Sequence, residues 1–88
     1  MYYTYVLYSS HFDRIYIGQT NNLDFRVDKH NFGLIKSTKR YVPWKLIYYE
    51  TYGTRSEAMK REKYLKSHIG RDYIRKNIAI WQSTAKPD

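Results

Sequence analysis

Residues 2–18 read YYTYVLYSSHFDRIYIG, and this stretch decides the fold. Residues 2–8 (YYTYVLY) and 14–18 (RIYIG) are aromatic and β-branched runs of the kind that favour strands. The polar link between them, SSHFD, is short enough to turn the second run back on the first, so a hairpin is predicted. Residues 2–8 are apolar on both faces, which predicts a central strand. In residues 14–18, period-two alternation puts Ile15 and Ile17 on one face and Arg14, Tyr16 and Gly18 on the other.

Asn21-Asn22 can cap a helix over residues 23–31, which Gly33 would end. Residues 36–40 (KSTKR) form a basic loop, and Pro43 precedes a third strand over 44–52 (WKLIYYETY). Gly53 breaks the chain, and Thr54-Arg55-Ser56-Glu57 has the spacing of a capping box opening a helix that runs to about Ser67. A shorter terminal helix is predicted over 71–80, followed by a loose tail at 83–88 (STAKPD). The order β-β-α-β-α-α predicts an α+β fold, a small three-stranded antiparallel or mixed sheet flanked by helices. The expectation is one domain over residues 1–82.

The chain has 88 residues and no cysteine, which excludes disulfide frameworks, Cys-based zinc sites and thiol chemistry. No apolar run approaches the ~20 residues of a membrane span, and no signal-peptide pattern opens the sequence, so a cytoplasmic protein is expected. Sixteen Lys and Arg stand against eight Asp and Glu, a net charge of +8. Residues 1–30 are balanced, so the excess falls on the rest. That asymmetry points to an anionic partner, nucleic acid first. The phosphate-tracking candidates are Lys36, Lys39, Arg40 and Lys45 around the third strand, with Arg55, Lys60, Arg61 and Lys63 on the exposed side of the second helix.

Among residues that could carry chemistry, Glu62 stands out. Ala58, Met59, Leu65 and Ile69 mark a buried stripe on the second helix, and Glu62 falls inside it by spacing. A carboxylate there needs a cation, a metal or hydrogen bonds; the plainer reading is an edge position paired with Lys66. In the first helix, Leu23, Arg26, Val27 and His30 share a face, stacking a guanidinium one turn from an imidazole. That pair suits a phosphate, although on spacing alone a solvated polar border, with Arg26 paired to a nearby Asp, is the favoured reading. His11 and His68 read as surface residues. Phosphate-loop, dinucleotide, zincin and EF-hand motifs are absent. The scattered carboxylates leave room for at most one metal, held by one carboxylate plus water.

With these residues in place, the chain resembles the small stand-alone branch of the GIY-YIG nuclease superfamily. Tyr16-Ile17-Gly18 resembles the second signature, and Tyr3-Thr4-Tyr5 stands where the first belongs. Tyr16 follows Tyr5 by eleven residues, Arg26 follows Tyr16 by ten and His30 by fourteen. Asn21-Asn22-Leu23, His30-Asn31-x-Gly33, Ser37-Thr38 with Pro43-Trp44, and Ser56-Glu57-Ala58 through Glu62-Lys63 extend the resemblance over about residues 2–76. Two positions depart from the pattern. The first signature lacks its Gly and Ile, and Gln19 stands where repair-type members carry a Lys.

The resemblance implies a metal-dependent endonuclease that hydrolyses DNA phosphodiester bonds, in repair or recombination, with Tyr5, Tyr16, Arg26, His30 and Glu62 as its site. Glu62 would hold Mg2+ or Mn2+, and Arg26 would offset charge on the phosphate. Tyr5 and Tyr16 would position or activate water; Tyr16 is the favoured base, with Tyr5 and His30 orienting or relaying protons. One sheet face, carrying Tyr5 and Tyr16, is expected to receive both Arg26 and Glu62. The partners expected are DNA and, for a domain this small, a DNA-targeting protein; no membrane partner is expected. The alternative is a non-catalytic nucleic-acid-binding module on the same fold.

Overall fold

The computed structural model describes residues 1–78. Strand β1 (Tyr2–Ser9) pairs antiparallel with β2 (Arg14–Thr20) on one side and β3 (Lys45–Tyr52) on the other, giving the order β2-β1-β3. The sheet is therefore purely antiparallel, and the chain follows the α+β order expected. Asp13 turns the hairpin with φ of 51°, and its carboxylate accepts the Tyr8 hydroxyl at 3.0 Å. A short Asp side chain tolerates that left-handed backbone better than a bulky one would.

Helix α1 (Leu23–Asn31) starts at Asn22, whose side chain accepts the Phe25 N–H. It ends where Gly33 takes φ of 74°, a conformation that suits glycine. Helix α2 (Arg55–Lys66) opens on the Thr54/Glu57 capping box, with both reciprocal bonds made. Ser67 closes α2 and also caps α3 (His68–Tyr73), which continues into a π-helical turn over Ile74–Ile78. The terminal helix thus begins three residues earlier than predicted, because Ser67 supplies a cap and Gly70 sits inside the helix. Ile80 and the expected tail lie outside the described residues.

Alternation along the strands sorts the core into two faces. Val6, Ile17 and Ile47 pack with Leu65 of α2 and Ile74, while Tyr5, Leu7 and Trp44 pack with Leu23 and Val27 of α1. β1 is buried on both faces, as a central strand must be. Two members of the predicted α2 stripe are wrong: Met59 is 51% exposed and Ile69 is 67% exposed. α2 stops at Lys66, so Ile69 belongs to a different helix axis, and Met59 faces outward one residue beyond Ala58. His11 and His68 are exposed, as read.

The α2–α3 corner leaves no room for a side chain at Gly70. A Cβ there would lie 2.1 Å from the Tyr64 carbonyl oxygen and 2.4 Å from Leu65 Cα. Gly70→Ala is therefore expected to destabilise by about 2–3 kcal/mol, overriding the ~1 kcal/mol that alanine gains in a helix interior. Urea unfolding measures this directly, and a variant at wild-type stability would contradict the close packing.

Candidate functional site

Tyr5 and Gly18 are cross-strand partners, and the Tyr5 ring lies across the glycine. A Cβ at Gly18 would come within 2.7 Å of the Tyr5 hydroxyl and 3.0 Å of the Tyr16 ring. Glycine at this position is thus what allows two tyrosines to share one small area of sheet. Their ring centroids are 6.2 Å apart. Tyr5 is fully buried and Tyr16 half-buried.

α1 brings Arg26 and His30 over that face because Leu23 and Val27 anchor it there. The imidazole of His30, itself fully buried, has Nε2 2.9 Å from the Tyr5 hydroxyl and Nδ1 2.8 Å from Thr38 Oγ1. Its ring also lies 4.8 Å from that of Tyr16. Arg26 Nε donates to the Tyr5 oxygen at 3.4 Å, and the Tyr16 hydroxyl adds to the same guanidinium's surroundings. Arg26 is bonded to phenols rather than to Asp24 or Asp28. Burial, with the Arg26 charge beside it, lowers the His30 pKa to about 4. Burial also pushes Tyr5 up to about 12, against the pull of its bond from Arg26.

Glu62 arrives differently from the expectation. α2 packs on the opposite face of the sheet, through Ala58 and Leu65, so Glu62 does not lie over the tyrosines as Arg26 does. Arg55, two helical turns before Glu62 on the same flank, reaches Gln19 of the edge strand β2 at 3.5 Å. Arg61 falls on the other flank and reaches Glu50 of β3. Glu62 therefore comes to the β2 edge, near enough for its charge to be felt at Tyr5. Its Oε2 is 2.7 Å from Lys66 Nζ, so the ion pair of the plainer reading is formed.

A family model described as the GIY-YIG catalytic domain matches residues 1–76. The chain belongs to the GIY-YIG nuclease family. It is 40% identical over 67 residues to a UPF0213 protein of Clostridium perfringens, covering 75% of this chain and 71% of that one. A UPF0213 protein of Staphylococcus epidermidis is 46% identical over 55 residues, or 61% and 67% of the two chains. The solution NMR structure of a UPF0213 protein from Bacillus halodurans matches with a TM-score of 0.50 at 28% identity, over 84% of this chain and 82% of that one.

In this GIY-YIG domain the two signature tyrosines, Arg26 and His30 come together, and Glu62 borders them. The basic residues do not behave as one set. Lys36, Lys39, Arg40 and Lys45 are exposed, as are Arg55, Lys60 and Lys63. Arg61 is the exception: it is turned inward, with Nε and Nη2 on the two Glu50 oxygens at 2.9 and 3.1 Å. Tyr48 and Tyr52 also donate to that carboxylate. Burial raises the Glu50 pKa, but these bonds outweigh it and hold the carboxyl below its usual range.

Among the described residues, no three His, Asp or Glu side chains form a metal cluster, and no helix is long and apolar enough to cross a membrane. A single carboxylate nevertheless fits Mg2+ or Mn2+ at a phosphate site, since such ions keep several waters and take phosphate oxygens as ligands. Glu62 Oε1 accepts no hydrogen bond from the described residues and remains free for that purpose.

Two contributors are given no role by the sequence, although Ser37-Thr38 is one of the elements that carry the resemblance. Thr38, 1% exposed, sits in a basic loop where a threonine reads as loop polarity. Glu50 reads as an ordinary strand glutamate, although it is what removes Arg61 from the surface.

His30 makes stability depend on pH. Its folded pKa, about 4, lies below the unfolded value near 6.5. Between those values the unfolded chain binds more protons, so the His30 contribution is complete above pH 6.5 and is lost as pH falls to 4. Urea midpoints should record a loss of about 2–3 kcal/mol across that window, and the loss should disappear in His30→Gln. An unchanged slope in that variant would mean that His30 is not the buried neutral group.

Proposed function

We propose that this chain is a metal-dependent endonuclease that hydrolyses phosphodiester bonds of DNA in repair or recombination, in the cytoplasm. Residues 1–82 would be the nuclease domain, and Mg2+ or Mn2+ the cofactor. The reading rests on one observation above the others: Tyr5, Tyr16, Arg26 and His30 form a single contact cluster beside an edge strand that Glu62 borders.

Hydrolysis needs a water oxygen to bond to phosphorus while an ester P–O bond breaks, and the water proton must go to a base. Arg26 is suited to offset the charge that builds on the phosphate, because among the described residues its side chain bonds the Tyr5 phenol and no carboxylate. Tyr5 is a poor base, with its pKa pushed to about 12. Tyr16, half-buried beside Arg26, is the better placed of the two. His30 and Tyr5 would orient Arg26. A divalent cation held by Glu62 would supply further charge to the phosphate and acidify the attacking water.

Binding would come from Lys36, Lys39, Arg40 and Lys45 around β3, and from the outer face of α2. There Arg55, Lys60 and Lys63 line an open groove of about 480 Å³ with Ser56 and Met59. Such contacts track phosphates without reading bases. A separate DNA-targeting protein would suit so small a basic surface. If DNA is the partner, duplex affinity should fall steeply with salt. Neutralising Lys39 and Arg40 together should flatten the log–log slope by roughly 1–2 units, at about 0.9 per phosphate contact. A salt-independent affinity would contradict the electrostatic reading.

The second reading, a non-catalytic binding module, is favoured by the Glu62–Lys66 pair, which already satisfies one carboxylate oxygen. Glu62→Gln separates the two. As a half-exposed i,i+4 pair is worth only about 0.3–0.5 kcal/mol, melting should barely move. Nicking of supercoiled DNA with Mn2+ should fall at least ~10²-fold, because the cation loses its protein carboxylate. DNA binding without metal should persist. Wild-type nicking by Glu62→Gln would remove Glu62 from the site, and no nicking by the wild type would favour the binding module.

A further inference from the structure

Tyr5, His30 and Thr38 are 0%, 0% and 1% exposed, so every hydrogen in their chain of bonds must find its acceptor inside the protein. Thr38 has one hydroxyl proton and two neighbours for it. Its Oγ1 is 2.8 Å from His30 Nδ1 and 3.4 Å from the Ile35 carbonyl oxygen. Two wirings follow. In the first, Thr38 donates to Ile35, His30 Nδ1–H donates to Thr38, and Tyr5 donates to a bare Nε2. In the second, Thr38 donates to Nδ1, and Nε2–H donates to the Tyr5 oxygen.

The wirings are not equivalent. The first gives all four donors an acceptor, counting the Arg26 Nε–H on the Tyr5 oxygen. The second turns both Nε2–H and Arg26 onto that oxygen and leaves the Tyr5 proton without an acceptor among the described residues. A buried donor left unpaired costs more than the long Thr38–Ile35 bond contributes. The first wiring is therefore the one the free protein adopts.

We propose that Thr38 is a positioning residue that fixes His30 as the Nδ1–H tautomer, so that Tyr5 donates inward and presents only its lone pairs to Arg26. This deepens the nuclease reading and rests on it for its catalytic consequence. Tyr5 then cannot take a proton from water without passing its own to His30. Burial makes that step unfavourable at both ends, with Tyr5 near 12 and His30 near 4. Its role is to hold the guanidinium in place. The groups that face His30 are Tyr5, the Tyr16 ring, Thr38 and Arg26.

Thr38 is itself held firmly. Its carbonyl accepts the Trp44 indole N–H at 2.9 Å, and the Trp44 backbone is bonded in both directions to the Asn31 side chain at the end of α1. The hydroxyl is thus tied to the same helix that carries the imidazole it orients.

The test is the tautomer, read by 15N–1H NMR of the imidazole in the wild type, Thr38→Ser and Thr38→Val. The wild type should show His30 as Nδ1–H only, and Thr38→Ser should keep that signature. Thr38→Val preserves shape but cannot accept, so the single-tautomer signature should be lost. Nicking turnover should fall at least tenfold in Thr38→Val with KM for DNA unchanged, and Thr38→Ser should restore it. A wild type in the Nε2–H form would overturn the proposal, as would a Thr38→Val protein with unchanged tautomer and turnover. The wild-type spectrum decides the wiring even where Thr38→Val does not fold. It also decides it where the protein nicks nothing, an outcome that would count against the nuclease reading alone.

Discussion

A phenol and an imidazole buried from solvent have to satisfy each other, and the path of the chain around them follows from that need. Tyr5 belongs to β1, His30 to α1 and Thr38 to the loop beyond it, and the bonds between them join three segments. Trp44, the residue before β3, joins the line through Thr38, and Asn31 returns it to α1. Each bond is worth about 1 kcal/mol net, but leaving one of these buried groups unpaired costs about 1–3 kcal/mol. That asymmetry specifies the loop path more strongly than loop propensities do.

The same line makes the two faces of the sheet unlike. The α2 side is filled mainly by Val6, Ile17, Ile47, Leu65 and Ile74, with one buried hydroxyl, Thr4, donating to the Ala58 carbonyl at 2.7 Å. The α1 side carries aromatic rings whose hydroxyl, imidazole and indole groups must all be paired. Between them, α2 sends one charged flank to each edge of the sheet. Arg61 goes to Glu50 on β3, and Arg55 with Glu62 goes towards β2. Consecutive residues 61 and 62 thus have opposite roles, because 100° of helix rotation separates a flank facing one edge from a flank facing the other.

Much of this was legible in the sequence. The hairpin, the central strand, both helix N-caps and the glycine stop of α1 are local patterns, and local patterns survive folding. The clustering of Tyr5, Tyr16, Arg26 and His30 was likewise implied by alternation and helical spacing together with the family resemblance. Three things were not legible. Which face α2 would take depends on the hand and length of a connection, and nothing in residues 55–66 records it. The stripe through Met59 and Ile69 failed because periodicity assumes one continuous helix, whereas Ser67 interrupts it. Helical spacing alone places Arg61 with the surface cations, because its partner, Glu50, is eleven residues away in another element.

Arg26 and Arg61 show what a partner does to a cation. Arg61 makes a two-pronged bond to an ionised carboxylate, with Tyr64 and Tyr73 rings 4.9 and 5.4 Å from its guanidinium carbon. Its charge is matched, and moving it would strand Glu50 half-buried. Arg26 could have met the same fate, since Asp24 and Asp28 lie on its own helix. Its bond runs instead to the oxygen of a phenol, neutral at pH 7, at a long 3.4 Å. A neutral acceptor orients a guanidinium without cancelling its charge, and a long bond is weak enough to yield to an anion. In the proposed nuclease, a phenol as partner, neutral at pH 7, would leave the positive charge of Arg26 available to a phosphate, which a carboxylate in the same place would neutralise.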